Sequence, residues 1–403
     1  MNSFEFKCET RIIFGAGTEC RVGREIKKCG GRRVLIVYGG GSVKRSGLLS
    51  RVENCLKEEG VDWLELGGVE PNPKLSLVHR GIELGRRERV DFVLAVGGGS
   101  AIDTAKAIAL GIPDTGEVWD FFDHVREPEK ILPVATILTL PATGSEASRA
   151  TVITKEDGQV KKGLNFPILR PVFSILNPEL TYTLPPYQTA SGCVDILMHT
   201  LERFFSRGSG NELTDLIAEA VIRTILKNAP IALENPSDYQ ARSEIMWAGT
   251  VSHCELTGLG LPGDWASHQI EHELSTAYGV AHGAGLAAVW GSWARYAMGE
   301  GMDRFTKYAR DVWGIRTGDD DGDARCAIEK TEEFFRSIGM PVSIPELIGR
   351  PVSEEEIKTL AHKCTFLGKR TIGNLVVMRE PEIEAVYRMA NHHERIGGFY
   401  VRE

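Results

Sequence analysis

Five of the chain's ten histidines, His199, His253, His268, His272 and His282, fall between positions 199 and 282, and an acid, Asp195, stands four residues before the first. On a helix, residues i and i+4 share a face one turn apart, so Asp195 with His199, and His268 with His272, each form a pair pointing one way. His282 follows in the turn-like run Gly279-Val280-Ala281-His282-Gly283. One carboxylate and two or three imidazoles make a ligand shell for a divalent transition ion. Mixed nitrogen and oxygen donors suit Fe(II), Zn, Mn or Ni and do not choose among them. A single histidine is ordinarily a satisfied core or surface residue, but an acid and three histidines on two helical pairs and a loop form a metal-binding pattern. Spacing alone leaves open which histidines ligate.

Two glycine clusters offer a second chemistry. The apolar run Val34-Leu35-Ile36-Val37-Tyr38 stops at Gly39-Gly40-Gly41-Ser42, and Phe92-Val93-Leu94-Ala95-Val96 stops at Gly97-Gly98-Gly99-Ser100, each ahead of a helical stretch. Glycine lets the backbone approach a diphosphate, and a helix start supplies N–H groups and a partial positive charge. Neither cluster spells G-x-G-x-x-G. The second is the better candidate, because Asp103 and Lys106 follow on its helix. Thr139 and Thr143-Gly144-Ser145 end the next apolar run, Pro133 to Leu140, at the same carboxyl edge, where open parallel sheets take their ligands.

These residues need a scaffold, and the patterning supplies one. Apolar runs without alternation suit strands covered on both faces by helices. Leu48 to Glu59, Ser76 to Arg87 and Ala101 to Leu110 read as the intervening helices, so the first part is an α/β domain with a parallel, doubly wound sheet. After Leu184-Pro185-Pro186 helical spacing takes over near 187–206, 212–233, 238–258, 265–276, 283–298, 302–312, 324–338, 353–364 and 381–391. The expected organisation is therefore a dinucleotide-binding α/β domain over 1–185 and an all-α metal-binding and catalytic domain over 186–403. The run Thr317 to Asp323 lacks the glycine and glutamate of a calcium loop and reads as an exposed acidic loop. Arg11-Ile12-Ile13-Phe14 reads as a short strand able to extend a sheet across a two-fold axis.

Length and composition narrow the function classes. A chain of 403 residues with 42% hydrophobic and 25% charged residues is a folded globule too long for one ordinary core. A net charge of −8 argues against a nucleic-acid partner, which calls for a basic stripe. The N-terminal residues lack the pattern of a signal peptide, and no apolar run is long enough for a membrane helix. None of the eight cysteines is at C-x-x-C spacing, so reduced, mostly buried thiols in a cytoplasmic protein are expected.

Taken together, the motifs resemble the iron-containing (group III) alcohol dehydrogenases, in particular their butanol dehydrogenase and NADP-dependent aldehyde reductase branch. The resemblance rests on Phe14-Gly15-Ala16-Gly17-Thr18, Tyr38-Gly39-Gly40-Gly41-Ser42, Glu70-Pro71-Asn72-Pro73 and Gly97-Gly98-Gly99-Ser100-Ala101-Ile102-Asp103. It continues through Leu140-Pro141-Ala142-Thr143-Gly144-Ser145-Glu146, Asp195-Ile196-Leu197-Met198-His199 and Glu271-His272-Glu273-Leu274. It implies that Asp195, His199, His268 and His282 bind one divalent ion, Fe(II) foremost. The fourteen-residue interval from His268 to His282 matches the family spacing. His272 then falls on a near-metal histidine outside the ligand set, to which a proton-relay role is ascribed. Asn72, Gly98, Gly99, Ser100, Thr139, Thr143, Ser148, Val152 and Lys161 fall on dinucleotide-contacting positions.

The resemblance also bears on the choice of cofactor. NAD-preferring relatives carry an acid just after the first apolar strand, where a carboxylate bonds the ribose 2′-hydroxyl and repels a 2′-phosphate. Here that position is Gly39. With Gly40, Gly41 and Ser42 as donors, and Lys44 or Arg45 as charge, NADP(H) is expected to be favoured over NAD(H). Trp265, Leu274, Tyr278 and Leu261 suggest an apolar substrate pocket, hence primary aliphatic alcohols and aldehydes. The family resemblance favours a homodimer. A lyase of the dehydroquinate synthase type on the same architecture would need a strongly basic pocket, whereas Leu138 to Ser148, Trp265 and Tyr278 are mostly apolar or hydroxylated. A non-enzymatic nucleotide or metal sensor would oxidise its cofactor without turnover.

Overall fold

The computed structural model of the chain describes residues 2–208 and 211–392. Its strands are β1 (Arg11–Phe14), β2 (Arg33–Gly39), β3 (Asp62–Val69), β4 (Phe92–Gly97), β5 (Val134–Leu138), β6 (Ala150–Lys155), β7 (Val160–Asn165) and β8 (Phe173–Leu176). Six of them form one parallel sheet in the order β1-β8-β5-β4-β2-β3, and β6 and β7 form a separate antiparallel hairpin. The expected doubly wound sheet is present.

Helices α1 (Val22–Lys28) and α2 (Leu48–Glu58) cover one face of the sheet, and α3 (Leu75–Arg87) and α4 (Gly99–Gly111) cover the other. Val34, Ile36, Phe92 and Leu94 point to the first pair, while Leu35, Val37, Val93 and Ala95 point to the second. Successive side chains of a strand face opposite ways, so a strand buried on both faces has no polar position to show. Helix α4 is buried along almost its whole length.

Sequence periodicity missed three parts of this framework. β3 contains Asp62, Glu65 and two glycines because it is a half-exposed edge strand. β8 is four residues long and interrupted by Ser174, so it shows no unbroken apolar run. The β6–β7 hairpin alternates weakly and lies outside the main sheet.

The helical part follows as α5 (Pro186–Phe204), α6 (Glu212–Glu234), α7 (Tyr239–His253), α8 (Ala266–Tyr278), α9 (His282–Ala297), α10 (Asp320–Ser337), α11 (Glu354–Cys364) and α12 (Glu380–Ala390), with shorter turns between. Beyond Leu176 the β pairing among the described residues is a single bridge of Ile372 with Met378. Packing divides the chain elsewhere than at residue 185. One unit holds Ser3–Thr200 with Ala220–Leu259, and the other holds Leu201–Glu219 and the described residues from Gly260 onward. The first part of α5 and all of α7 belong with the sheet. Gly192 abuts the carbonyl of Pro141, the Thr250 hydroxyl donates to Glu146 at 2.7 Å, and the rings of Phe14 and Trp247 meet edge to face at 6.4 Å.

Two smaller expectations are corrected. The acidic run at 317–323 is exposed through Asp321, as expected, but is loop only to Asp319, which caps α10, and buried Asp323 accepts from the Thr317 backbone and from Arg310 at 2.8 Å. The eight cysteines form no disulfide, but only Cys193, Cys254 and Cys364 are buried, because the others lie on edges and helix surfaces. No helix among the described residues is long and apolar enough to cross a membrane.

Candidate active site

The carboxyl edge of the sheet assembles most of the expected dinucleotide residues within one unit. Gly98 precedes α4 in extended conformation, and Gly99 and Ser100 open the helix with their N–H groups at its positive end. Gly99 has to be glycine, since a Cβ there would lie 2.4 Å from the Thr143 hydroxyl. Thr139 directly follows β5, and its N–H bonds the Gly97 carbonyl at 3.0 Å. On the hairpin side, Thr154 of β6 donates to the Pro73 carbonyl at 2.8 Å, drawing the Asn72 loop against β6. Thr154 pairs with Lys161 of β7, and the Lys161 ammonium donates to the Asn72 side-chain carbonyl at 2.9 Å. Asn72 and Lys161, distant in sequence, thus come together, with Val152 two residues before Thr154 on β6.

Asp103 does something other than expected. It accepts from the Ser145 hydroxyl at 2.6 Å and from the Val152 N–H at 3.1 Å, so its carboxylate is spent inside the protein. Beside it Lys106, fully buried, donates to the carbonyls of Ser145, Ser148 and Ala150 at 2.7, 3.0 and 2.8 Å. Burial pulls the Lys106 ammonium down to about 8, against the opposing charges of Asp103 and Glu146. Burial likewise raises Asp103, against Lys106. This buried pair braces the loop that carries Ser145 and Ser148. The sequence put Lys106 beside the second glycine cluster as support for a dinucleotide site, but nothing in it marked the ammonium as fully buried.

At the other cluster, Gly39 ends β2 with its Cβ position in ordinary contact, 3.5 Å from the Val69 carbonyl. Gly40 faces open space, and Gly41 adopts φ +115° ahead of the one-turn helix Ser42–Arg45. Lys44 is committed elsewhere: its ammonium sits 2.9 Å from Glu65 and over the Tyr38 ring. Hydrogen bonds from Tyr38 and Lys44 hold the Glu65 carboxyl below its ordinary range. The Arg45 guanidinium, 3.4 Å from where a Gly41 Cβ would stand, remains beside the glycine turn.

The histidines share one device. On α5, His199 Nδ1 lies 2.9 Å from the Asp195 main-chain carbonyl and 3.1 Å from its carboxylate. His253, at the end of α7, stacks near His199 with ring centres 4.4 Å apart. On α8, His268 Nδ1 lies 3.1 Å from Glu202, which also accepts the His268 backbone N–H at 3.0 Å. At the start of α9, His282 Nδ1 contacts the Glu271 carboxylate. A carbonyl or carboxylate oxygen accepts a hydrogen, so in all three rings Nδ1 carries the proton and Nε2 the lone pair.

Asp195, His199 and Glu202 stand at i, i+4 and i+7 of one continuous helix and share its face. The rings of His268 and His282 are 5.3 Å apart, and those of His272 and His282 are 5.6 Å apart. Burial, reinforced by Asp264, pushes the Glu202 carboxyl well up, while the backbone N–H groups of His268, Trp265 and Ser267 pull it back. Glu202 was not singled out in the sequence, and Glu271 entered only as part of the motif Glu271-His272-Glu273-Leu274, without a role. Helical spacing from Asp195 was the signal available for Glu202, whereas Glu271, adjacent to His272, offered none.

The apolar-pocket residues separate. Trp265 lies 5.4 Å from the His268 ring, but Leu274 is core and the Tyr278 hydroxyl donates to Glu356 at 3.1 Å. A cavity of about 330 Å³ beside Tyr278 is lined by Ala277 and Leu360 together with the charged Glu273, Glu355, Glu356 and Lys363.

With this geometry in hand, comparison with known proteins is decisive about the class. The family model described as iron-containing alcohol dehydrogenase matches residues 9–178, and that of the Fe-containing alcohol dehydrogenase family, C-terminal, matches residues 189–391. The chain belongs to the iron-containing alcohol dehydrogenase family and is an NAD(P)-dependent oxidoreductase. It is 41% identical to the NADH-dependent butanol dehydrogenase A of Clostridium acetobutylicum, over 96% of this chain and 99% of that protein. It is 37% identical to the NADPH-dependent aldehyde reductase YqhD of Escherichia coli, over 92% and 96% respectively. The crystal structure of NADH-dependent butanol dehydrogenase A from Thermotoga maritima superposes with a TM-score of 0.94 at 38% identity, covering 97% of this chain and 99% of that one.

Proposed function

We propose that the protein interconverts primary aliphatic aldehydes and alcohols, prefers NADP(H) to NAD(H), and holds one divalent cation through Asp195, His199, His268 and His282. Fe(II) is the foremost candidate, with Zn, Mn and Ni as alternatives. The carrying observation is a shared contact: three imidazoles each place Nδ1 against a protein oxygen, the arrangement that turns Nε2 toward a metal in metal-binding histidines. This donor set fits a borderline transition cation. When bound, the cation supplies Lewis-acid polarisation of the substrate oxygen. The nicotinamide supplies or accepts the hydride.

The chain's residues do the rest. Gly98, Gly99 and Ser100 direct N–H groups at the diphosphate. Asn72, Thr139, Thr143, Ser148, Val152 and Lys161 hold the remainder of the dinucleotide, while Asp103 acts through the loop it braces. His272, half-buried, accepts the alcohol proton at a ring nitrogen and passes it to solvent. Trp265 supplies apolar surface beside His268, favouring aliphatic substrates.

For the cofactor, Gly39, Gly40, Gly41 and Ser42 leave room for a 2′-phosphate, with Arg45 as the cation, since Lys44 is engaged by Glu65. Relatives are divided on this point, one being named NADH-dependent and another NADPH-dependent. A cytoplasmic homodimer completes the reading. A steady-state panel of aldehydes with both cofactors tests it: butanal with NADPH should outperform charged or polyhydroxylated aldehydes. Preference for a sugar phosphate would sink the substrate assignment.

A further inference from the structure

Glu271 is completely buried, yet among the described residues its carboxylate has one hydrogen-bond partner, His282 Nδ1, and its Oε1 has none. Burying a carboxylate with so little compensation is costly and calls for a reason. The opposite helix is shaped around it. A Cβ on Gly285 would lie 2.7 Å from both Glu271 Cγ and Oε1, so α9 carries glycine where the Glu271 side chain passes. His268, Glu271 and His272 lie on one face of α8.

We propose that Glu271 is a positioning residue that holds the proton on His282 Nδ1 and aims Nε2 at the cation, and that Gly285 exists to admit it. This rests on the reading of His282 as a metal ligand. Glu202 serves His268 in the same way, so each ligand on α8 and α9 has a buried glutamate behind it.

The test is Zn(II) affinity and stoichiometry of the purified full-length protein, measured by chelator competition for wild type, Glu271→Ala, Glu271→Gln, Gly285→Ala and His268→Ala. Histidine tautomers of the zinc-loaded protein are read from 15N-labelled rings. Glu271→Ala should bind Zn(II) about 10- to 100-fold more weakly. Glu271→Gln, whose amide oxygen still accepts from Nδ1, should stay close to wild type. Gly285→Ala, which leaves the carboxylate in place but displaces it, should follow Glu271→Ala, and the two variants give the answer even where one fails to fold. Wild-type affinity and an unchanged His282 tautomer in both would overturn the proposal while leaving the metal site intact. Two ions in the wild type and one in Glu271→Ala would also overturn it, making Glu271 a direct ligand. Failure of wild type to bind Zn(II), or undiminished binding by His268→Ala, would instead refute the metal reading beneath it.

Discussion

Replacing Gly39 by aspartate sets a carboxylate at the end of β2 with little steric cost, since the new Cβ would only touch the Val69 carbonyl at 3.5 Å. Repulsion of a 2′-phosphate there is worth on the order of 1–3 kcal/mol, so the NADPH-to-NADH ratio of kcat/KM should fall by roughly 5- to 150-fold. An unchanged ratio would remove Gly39 from the account, and wild-type preference for NADH would reverse the cofactor assignment. Lys106→Met strips three buried carbonyls of their donor, and breaking a buried charged network typically costs about 3–5 kcal/mol. We expect a lower Tm and a cofactor KM that rises more than kcat falls; unchanged cofactor KM would show that the Ser145–Ser148 loop does not bear on the dinucleotide. At this scale, sequence disclosed what clusters. An acid and three histidines on two helical pairs and a loop point to a metal, whereas nothing in the sequence marks Glu202, Glu271 or Lys106 as buried. Asp103 misleads for the same reason: its position invites a cofactor contact, but Ser145 and Val152 take its oxygens.

The elements respond to their turns and clasps. Gly99→Ala would drive a methyl into Thr143, 2.4 Å from its hydroxyl, and overpacking of this kind typically costs about 1–3 kcal/mol. Calorimetry should show a lowered Tm together with weakened dinucleotide binding; a variant with wild-type binding would show that the helix start is not part of the site. Glu25 of α1 clasps β1 through Arg11 and pairs as well with Lys28 on its own helix. Burial alone would raise its carboxyl, but those cations hold it at about 2, below the ordinary 4.5. The unfolded chain therefore binds more protons between those values. The contribution is complete above about pH 4.5 and disappears as pH falls toward 2. Urea unfolding of Glu25→Gln should show lost stability at pH 7 and a gap to wild type that closes in acid; a gap independent of pH would contradict the clasp. Strands buried on both faces, β2, β4 and β5, were readable as unbroken apolar runs. β3 and β8 were not, because two acids and a pair of glycines break up β3 and a serine interrupts the four residues of β8, while the hairpin that delivers Lys161 to Asn72 alternates only weakly.

For the molecule as a whole, the switch from strand–helix alternation to helices near residue 185 was plain in the sequence, but the packing units were not. Chain order cannot reveal that α7 returns to the sheet. β1 lies at the sheet edge, paired in parallel with β8, and in the proposed homodimer its other side would meet a second copy. Light scattering should report twice the 44.3 kDa chain mass; a particle of 44.3 kDa at micromolar concentration would contradict the homodimer. In the proposed mechanism Asp195, His199, His268 and His282 hold a cation on which carbonyl reduction depends. The direct measurement is NADPH-driven butanal reduction by protein stripped of metal to a verified residual content, before and after adding Fe(II), Zn(II) or Mn(II). Negligible turnover is expected in the stripped protein, with recovery on adding at least Fe(II). Full turnover in metal-free protein would contradict it.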